Sequence, residues 1–193
     1  PLGRAVGNSL EVIEAIETLK GNGPADITEL SVLLAGLMIF CGGHAKTPEE
    51  GSAQAVQALK SGAALQKLAQ LIAAQDGNAG VIQDYALFKQ PRLKRAVTAQ
   101  RDGCVTAIDA RAVGIASQLA GAGRTRKEDT VDSSAGVYLR KKRNETVAQG
   151  ESIAEIFGDN ESTLDSAQQI LSEAYEIGIE PVPEPALIKK TII

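Results

Sequence analysis

The chain has no tryptophan, and aromatic residues make up only 3% of its 193 positions. Stacking platforms for nucleic-acid bases are therefore scarce. A net charge of −4 also argues against a nucleic-acid partner. His44 is the single histidine, so a multi-histidine metal site is excluded within the chain. It follows Gly42-Gly43 and reads as a solvated loop residue. Cys41 and Cys104 are the two cysteines and lack metal-ligand spacing. Both read as free core thiols of a protein in a reducing cytoplasm. No signal-peptide pattern is visible. The apolar run 30–41, bracketed by Glu29 and Gly42, is too short to span a bilayer, so no membrane partner is expected.

What is present is a packed-domain composition. Hydrophobic residues reach 44%, enough for one sizeable domain or two small ones and too many for disorder. Asn8 reads as an N-cap with Glu11 as its capping-box partner, ahead of the stripe Leu10, Val12, Ile13, Ile16 and Leu19. Gly21 ends that helix. Asp26 and Glu29 start a second helix, which Gly42-Gly43 stops. Thr47-Pro48 opens a third, with Ala53, Val56 and Leu59 facing inward. A fourth carries Leu65, Leu68, Leu71 and Ile72.

The period changes after Pro91. Segments 96–99 and 104–108 read as strands around Arg101-Asp102-Gly103. Asp109 caps a short helix, and 121–129 is a polar loop. Residues 137–139 and 153–157 alternate like strands. A last helix is expected at 163–175 and, after Pro181, Pro183 and Pro185, a closing strand at 187–192. The boundary between a helical first part and an α+β second part falls between Gly77 and Leu93.

Few motifs here carry chemistry on their own. Gly3, Gly7 and Asn8 ahead of a helix resemble a phosphate cradle but lack the ending of a P-loop; a tight turn for helix packing explains them equally well. Glu14 lies on the polar side of its helix, where a surface acid is the default. Arg124, Arg126 and Lys127 could meet a phosphate, yet Glu128 and Asp129 follow, which favours a solvated loop. Segments 131–137 and 145–151 resemble the hammerhead of biotinyl and lipoyl carriers. Lys141 and Lys142 have no Met neighbour and lie in a charged run, so a hammerhead without a prosthetic group is preferred over a carrier or interaction module.

Two stretches together carry a specific resemblance. Pro1-Leu2-Gly3, Ala5-Val6-Gly7-Asn8, Leu10-Glu11-Val12 and Glu14-Ala15 are similar to a segment of the pyrimidine-nucleoside phosphorylases. The match continues through Leu19-Lys20-Gly21, Gly23-Pro24 and Asp26 to Leu30. It resumes at Thr106-Ala107-Ile108-Asp109, Gly121-Ala122-Gly123-Arg124, Lys127, Asp129, Val131-Asp132, Ala135-Gly136 and Gly150-Glu151. The opening Pro1-Leu2-Gly3 resembles the broad-specificity bacterial enzyme more than the strict thymidine enzyme. A sister family, the anthranilate phosphoribosyltransferases, lacks the hammerhead tail.

The resemblance implies an α/β (α+β) chain. Residues 1–85 would be the mainly helical end of a central phosphorylase domain, and 86–193 an α/β-hammerhead domain. It implies phosphorolysis of uridine or thymidine to free base and pentose 1-phosphate by a cytoplasmic homodimer, with phosphate as co-substrate. The phosphate- and base-binding segments of that family lie upstream of Pro1, so no catalytic residue is assigned. The chain opens inside the motif without an initiator Met. It is thus expected to be the downstream part of a longer protein, partnered by the upstream portion. What carries over is part of a potassium site: the backbone carbonyls of Leu2 and Ala5 and the carboxylate of Glu14. Arg4 and Ser9 stand at positions that vary in the family.

Overall fold

The computed structural model describes residues 1–124, 126–190 and 192. They divide into two compact units. One comprises Pro1, 3–12 and 88–184; the other comprises Leu2, 13–87 and the described residues from 185 on.

The first unit is built on two antiparallel sheets. Strands β1 (Ala5–Val6), β4 (Gly136–Leu139), β6 (Ser152–Gly158) and β2 (Leu93–Thr98) form one, in the order β1-β4-β6-β2. Strands β5 (Thr146–Val147), β3 (Gly103–Ile108) and β7 (Tyr175–Gly178) form the other, in the order β5-β3-β7. Helices α5 (Ala110–Ser117) and α6 (Glu161–Glu173) complete it. Val105, Val113, Val137, Leu139, Ile156, Leu164 and Leu171 are fully buried in one continuous core. Removing this much apolar surface from water is the main force holding the unit together. Asp109 caps α5 as expected, accepting from Arg111 N at 2.8 Å and Ala112 N at 3.2 Å.

The second unit is helical. It holds the end of α1 (Asn8–Leu19), with α2 (Ala25–Cys41), α3 (Pro48–Lys60) and α4 (Ala63–Ala74). Thr47 accepts from Glu50 N at 3.2 Å, and the Glu50 carboxylate in turn accepts from Lys46 N at 2.8 Å, so α3 starts where its Thr-Pro signal puts it. Helices α2 and α3 meet at two glycines: a Cβ on Gly51 would lie 2.2 Å from the Gly36 carbonyl oxygen. Gly51 and Ala55 are therefore the buried face of α3, and Ala53, expected inside, is exposed.

Other expectations need correction. The last helix stops at Glu173, and Tyr175 opens strand β7, which pairs with β3. Of the expected strand at 187–192, residues 187–190 and 192 are irregular; Thr191 lies outside the described residues, as do Thr125 in the expected 121–129 loop and Ile193. Cys104 is buried, but Cys41 is exposed, because α2 is apolar nearly all round and its periodicity selects no inner face.

Candidate functional site

The segment that opens the chain is the natural place to look for a site. Alternation puts Ala5 inside, and the segment becomes the edge strand β1. Ala5 lies opposite Tyr138 and Val6 opposite Val137. Leu139 N donates to Arg4 O at 2.8 Å, which makes Arg4 and Leu139 a hydrogen-bonded pair of the antiparallel ladder. The next residue along, Ala5, then directs its N–H and C=O away from β4, toward the outer edge of the sheet. Ser117 Oγ donates to Val6 O at 2.7 Å.

The two ends of β1 are held by side chains. Before it, Arg4 Nη1 donates to Arg140 O at 2.7 Å and to Leu139 O at 3.3 Å, and Arg4 Nη2 lies 2.6 Å from Glu145 Oε1. Lys142 Nζ donates to Pro1 O and Gly3 O. After it, Glu11 Oε1 accepts from Gly7 N at 2.8 Å, the back-reaching half of a capping box set on Gly7 instead of Asn8. Asn8 is not a side-chain cap: its Nδ2 donates to Ala122 O and Asp132 O, both at 3.0 Å. Ser9 N donates to Ser133 O at 3.0 Å.

The loop that receives Asn8 is fixed by charge. Asp132 Oδ1 accepts from Lys89 Nζ at 2.8 Å and from Ser134 N and Oγ at 2.9 and 2.7 Å. Burial raises the Asp132 pKa, but Lys89 and Ser134 together outweigh it and hold the carboxyl below its ordinary value. Lys89 also reaches Asp159 Oδ2 at 2.8 Å. Glu145 behaves alike: burial raises it, and Arg4 with the Lys142 N–H brings it below the usual range.

Of the three residues assigned to a cation site, Leu2 is exposed, Ala5 is buried in β1, and Glu14 is buried on α1. The surface-acid reading of Glu14 is thereby corrected. Among the described residues no three His, Cys, Asp or Glu side chains converge as a metal site; a set of two backbone carbonyls and one carboxylate is of a different kind. Its donors are all oxygen, which suits a hard monovalent cation. His44 sits in an exposed loop, its carbonyl accepting from Gln54 Nε2 at 3.0 Å. Arg124, Arg126 and Lys127 are exposed, and Arg126 N donates to Asp129.

The carrier alternative finds no support at its lysines. Lys141 Nζ is 2.7 Å from Glu151 Oε1 and 2.8 Å from Thr146 O, while Lys142 is turned onto Pro1 and Gly3. A modifiable lysine needs a presented amine; these amines are engaged. An open cleft lined by Thr98, Gln100, Arg101, Thr106, Tyr175 and Glu176 has a volume of about 460 Å³. Its Tyr175 hydroxyl is engaged by Lys141 O and Ile153 O, both at 3.1 Å, and burial pushes its pKa well above the ordinary phenol value. The clamp of Pro1 and Gly3 by Lys142 is invisible in the sequence, because bonds between residues so far apart along the chain leave no local signal.

Comparison with known proteins adds an independent line. The family model described as the pyrimidine nucleoside phosphorylase C-terminal domain matches residues 104–178. The chain is 42% identical over 188 residues to a pyrimidine-nucleoside phosphorylase of Geobacillus stearothermophilus, covering 97% of this chain and 43% of that protein. It is 40% identical over 193 residues to a pyrimidine-nucleoside phosphorylase of Staphylococcus aureus strain MSSA476, covering 100% of this chain and 44% of the relative. The chain thus spans less than half the length of these curated relatives.

Proposed function

The chain belongs to the pyrimidine-nucleoside phosphorylase family, and from that premise we propose that it is the supporting portion of such an enzyme. Residues 1–85 are read as the end of the central phosphorylase domain and 86–193 as the hammerhead domain. The reaction is the phosphorolysis of uridine or thymidine. A phosphate oxygen forms a bond to the anomeric carbon as the bond to the base nitrogen breaks, yielding free base and pentose 1-phosphate. The protein must orient phosphate and stabilise the departing base. The groups for both are assigned to the rest of the protein, which we read as a cytoplasmic homodimer.

This chain's own contribution is structural and electrostatic. The carbonyls of Leu2 and Ala5 and the carboxylate of Glu14 are proposed to donate to a potassium ion, which when bound supplies a fixed positive charge. The observation that carries the overall reading is 40–42% identity over 97–100% of the chain. The outward direction of the Ala5 carbonyl and the burial of Glu14 support the ligand assignment.

Phosphate-dependent cleavage of uridine and thymidine tests the reading. It is measured on the chain alone and on the chain mixed with the upstream segment of a related phosphorylase. Activity in the mixture only is expected. Activity of the chain alone would overturn the assignment of the catalytic groups to the rest of the protein.

A further inference from the structure

We propose that Lys142 is a positioning residue that orients the Leu2 carbonyl for a monovalent cation, an inference that rests on the cation reading above. Lys142 Nζ donates to both Pro1 O and Gly3 O. Those oxygens belong to the peptide groups immediately before and after the one that carries the Leu2 oxygen. Each peptide group is planar, so only the φ and ψ rotations of Leu2 and Gly3 separate the three planes. One ammonium that pins both outer planes leaves the middle plane little room to turn. A lysine is well matched to such a clamp, since its ammonium carries three donors and no acceptor and can span two carbonyls at once.

The clamp is itself fixed. Lys142 N donates to Glu145 Oε2 at 2.9 Å, and the other oxygen of Glu145 takes Arg4 Nη2 at 2.6 Å. Arg4 returns to the same turn through Arg140 O. The segment before β1 and the turn after β4 are therefore cross-linked in both directions by charge-assisted bonds, the stronger class of hydrogen bond. Leu139 N on Arg4 O then sets the ladder that turns the Ala5 carbonyl outward. The Leu2 carbonyl is thus oriented from the turn of residues 140–145, and the Ala5 carbonyl from Leu139 at the end of β4, which leads into that turn. The ammonium of Lys141, the neighbouring lysine, is held by Thr146 O and Glu151 and not by the segment before β1.

The full-length protein carrying this chain is titrated with potassium at constant ionic strength, choline replacing potassium, and Tm is followed. The wild-type Tm is expected to rise to saturation. In Lys142→Met, which keeps the stem and removes the ammonium, the half-saturating potassium concentration should rise about tenfold, as for loss of an outer-sphere partner of a metal ligand. Lys142→Gln keeps one donor group and should shift it less. Lys141→Met removes the same charge from the same turn and should keep the wild-type value. In Glu14→Gln the potassium response should vanish. Wild-type half-saturation in Lys142→Met and Lys142→Gln overturns the positioning role and leaves the cation reading standing. A wild-type Tm indifferent to potassium overturns both. Should Lys142→Met fail to fold, Lys142→Gln against Lys141→Met carries the same comparison.

Discussion

Gly7 and Gly136 pass so closely that a Cβ on Gly7 would lie 2.7 Å from the Gly136 Cα. Gly7 also has φ of 133°, a conformation that side chains with a Cβ rarely adopt. Steric conflict and backbone strain therefore coincide where β1 hands over to α1. Gly7→Ala is expected to destabilise the chain by about 2–4 kcal/mol. Urea unfolding with an unchanged m-value is the check. A loss under about 0.5 kcal/mol, the ordinary range of surface substitutions, would mean that the backbone relaxes freely there.

Asn8 separates two readings of the same residue. A side-chain N-cap would tolerate Asp, which caps as well as Asn. In the structure the Asn8 amide donates to two carbonyls, Ala122 O and Asp132 O. Asn8→Ala should cost about 1–2 kcal/mol through two unmade bonds. Asn8→Asp should cost more, because a carboxylate facing two carbonyl oxygens is repelled by both. Urea midpoints in the order wild type, Ala, Asp are expected. Asp equal to wild type would restore the capping role.

The helix starts were legible because their signals are local. Thr47-Pro48 and Asp109 announce helices with side chains that satisfy the first free N–H groups. Strand β7 was not legible. Tyr175 continues the spacing of Leu164, Ala167 and Leu171 and so extends the helical pattern, while its actual partner, Ile108 of β3, lies far back in the chain. The candidate site divides the same way. Composition left Glu14 a surface acid, and only the family resemblance marked it as a ligand. Lys142 reads as one more charge in a charged run until the fold brings it to Pro1 and Gly3.

The two thiols should differ sharply in reactivity. Cys41 is exposed at the end of α2, and Cys104 is 2% exposed within β3. A disulfide reagent needs access as well as thiolate. The folded 193-residue chain is expected to label fast at Cys41 and to label at Cys104 only on unfolding. Mass spectrometry of the labelled peptides makes the assignment. Equal rates at both sites in the absence of denaturant would contradict the burial of β3.

Glu155 supplies the pH dependence. It is buried on β6 between Lys94 Nζ and Arg140 Nη2, each 2.6 Å from one of its oxygens. Burial raises its pKa, but the two cations outweigh that and hold it below 4.5, its value without such neighbours. A carboxyl depressed on folding adds stability that is fully present above its unfolded pKa. That stability is lost as pH falls through the folded value. Lys94 and Arg140 are about half exposed, so solvent screens the pairs. Glu155→Gln should therefore cost only about 1–2 kcal/mol at pH 7. The gap between wild type and Glu155→Gln in urea unfolding should narrow as pH falls below 4.5, because the wild-type carboxyl becomes neutral too. High salt at pH 7 should narrow it in part, by screening the half-exposed partners. A gap that stays constant from pH 7 to low pH would assign the cost to packing on β6 instead of to charge.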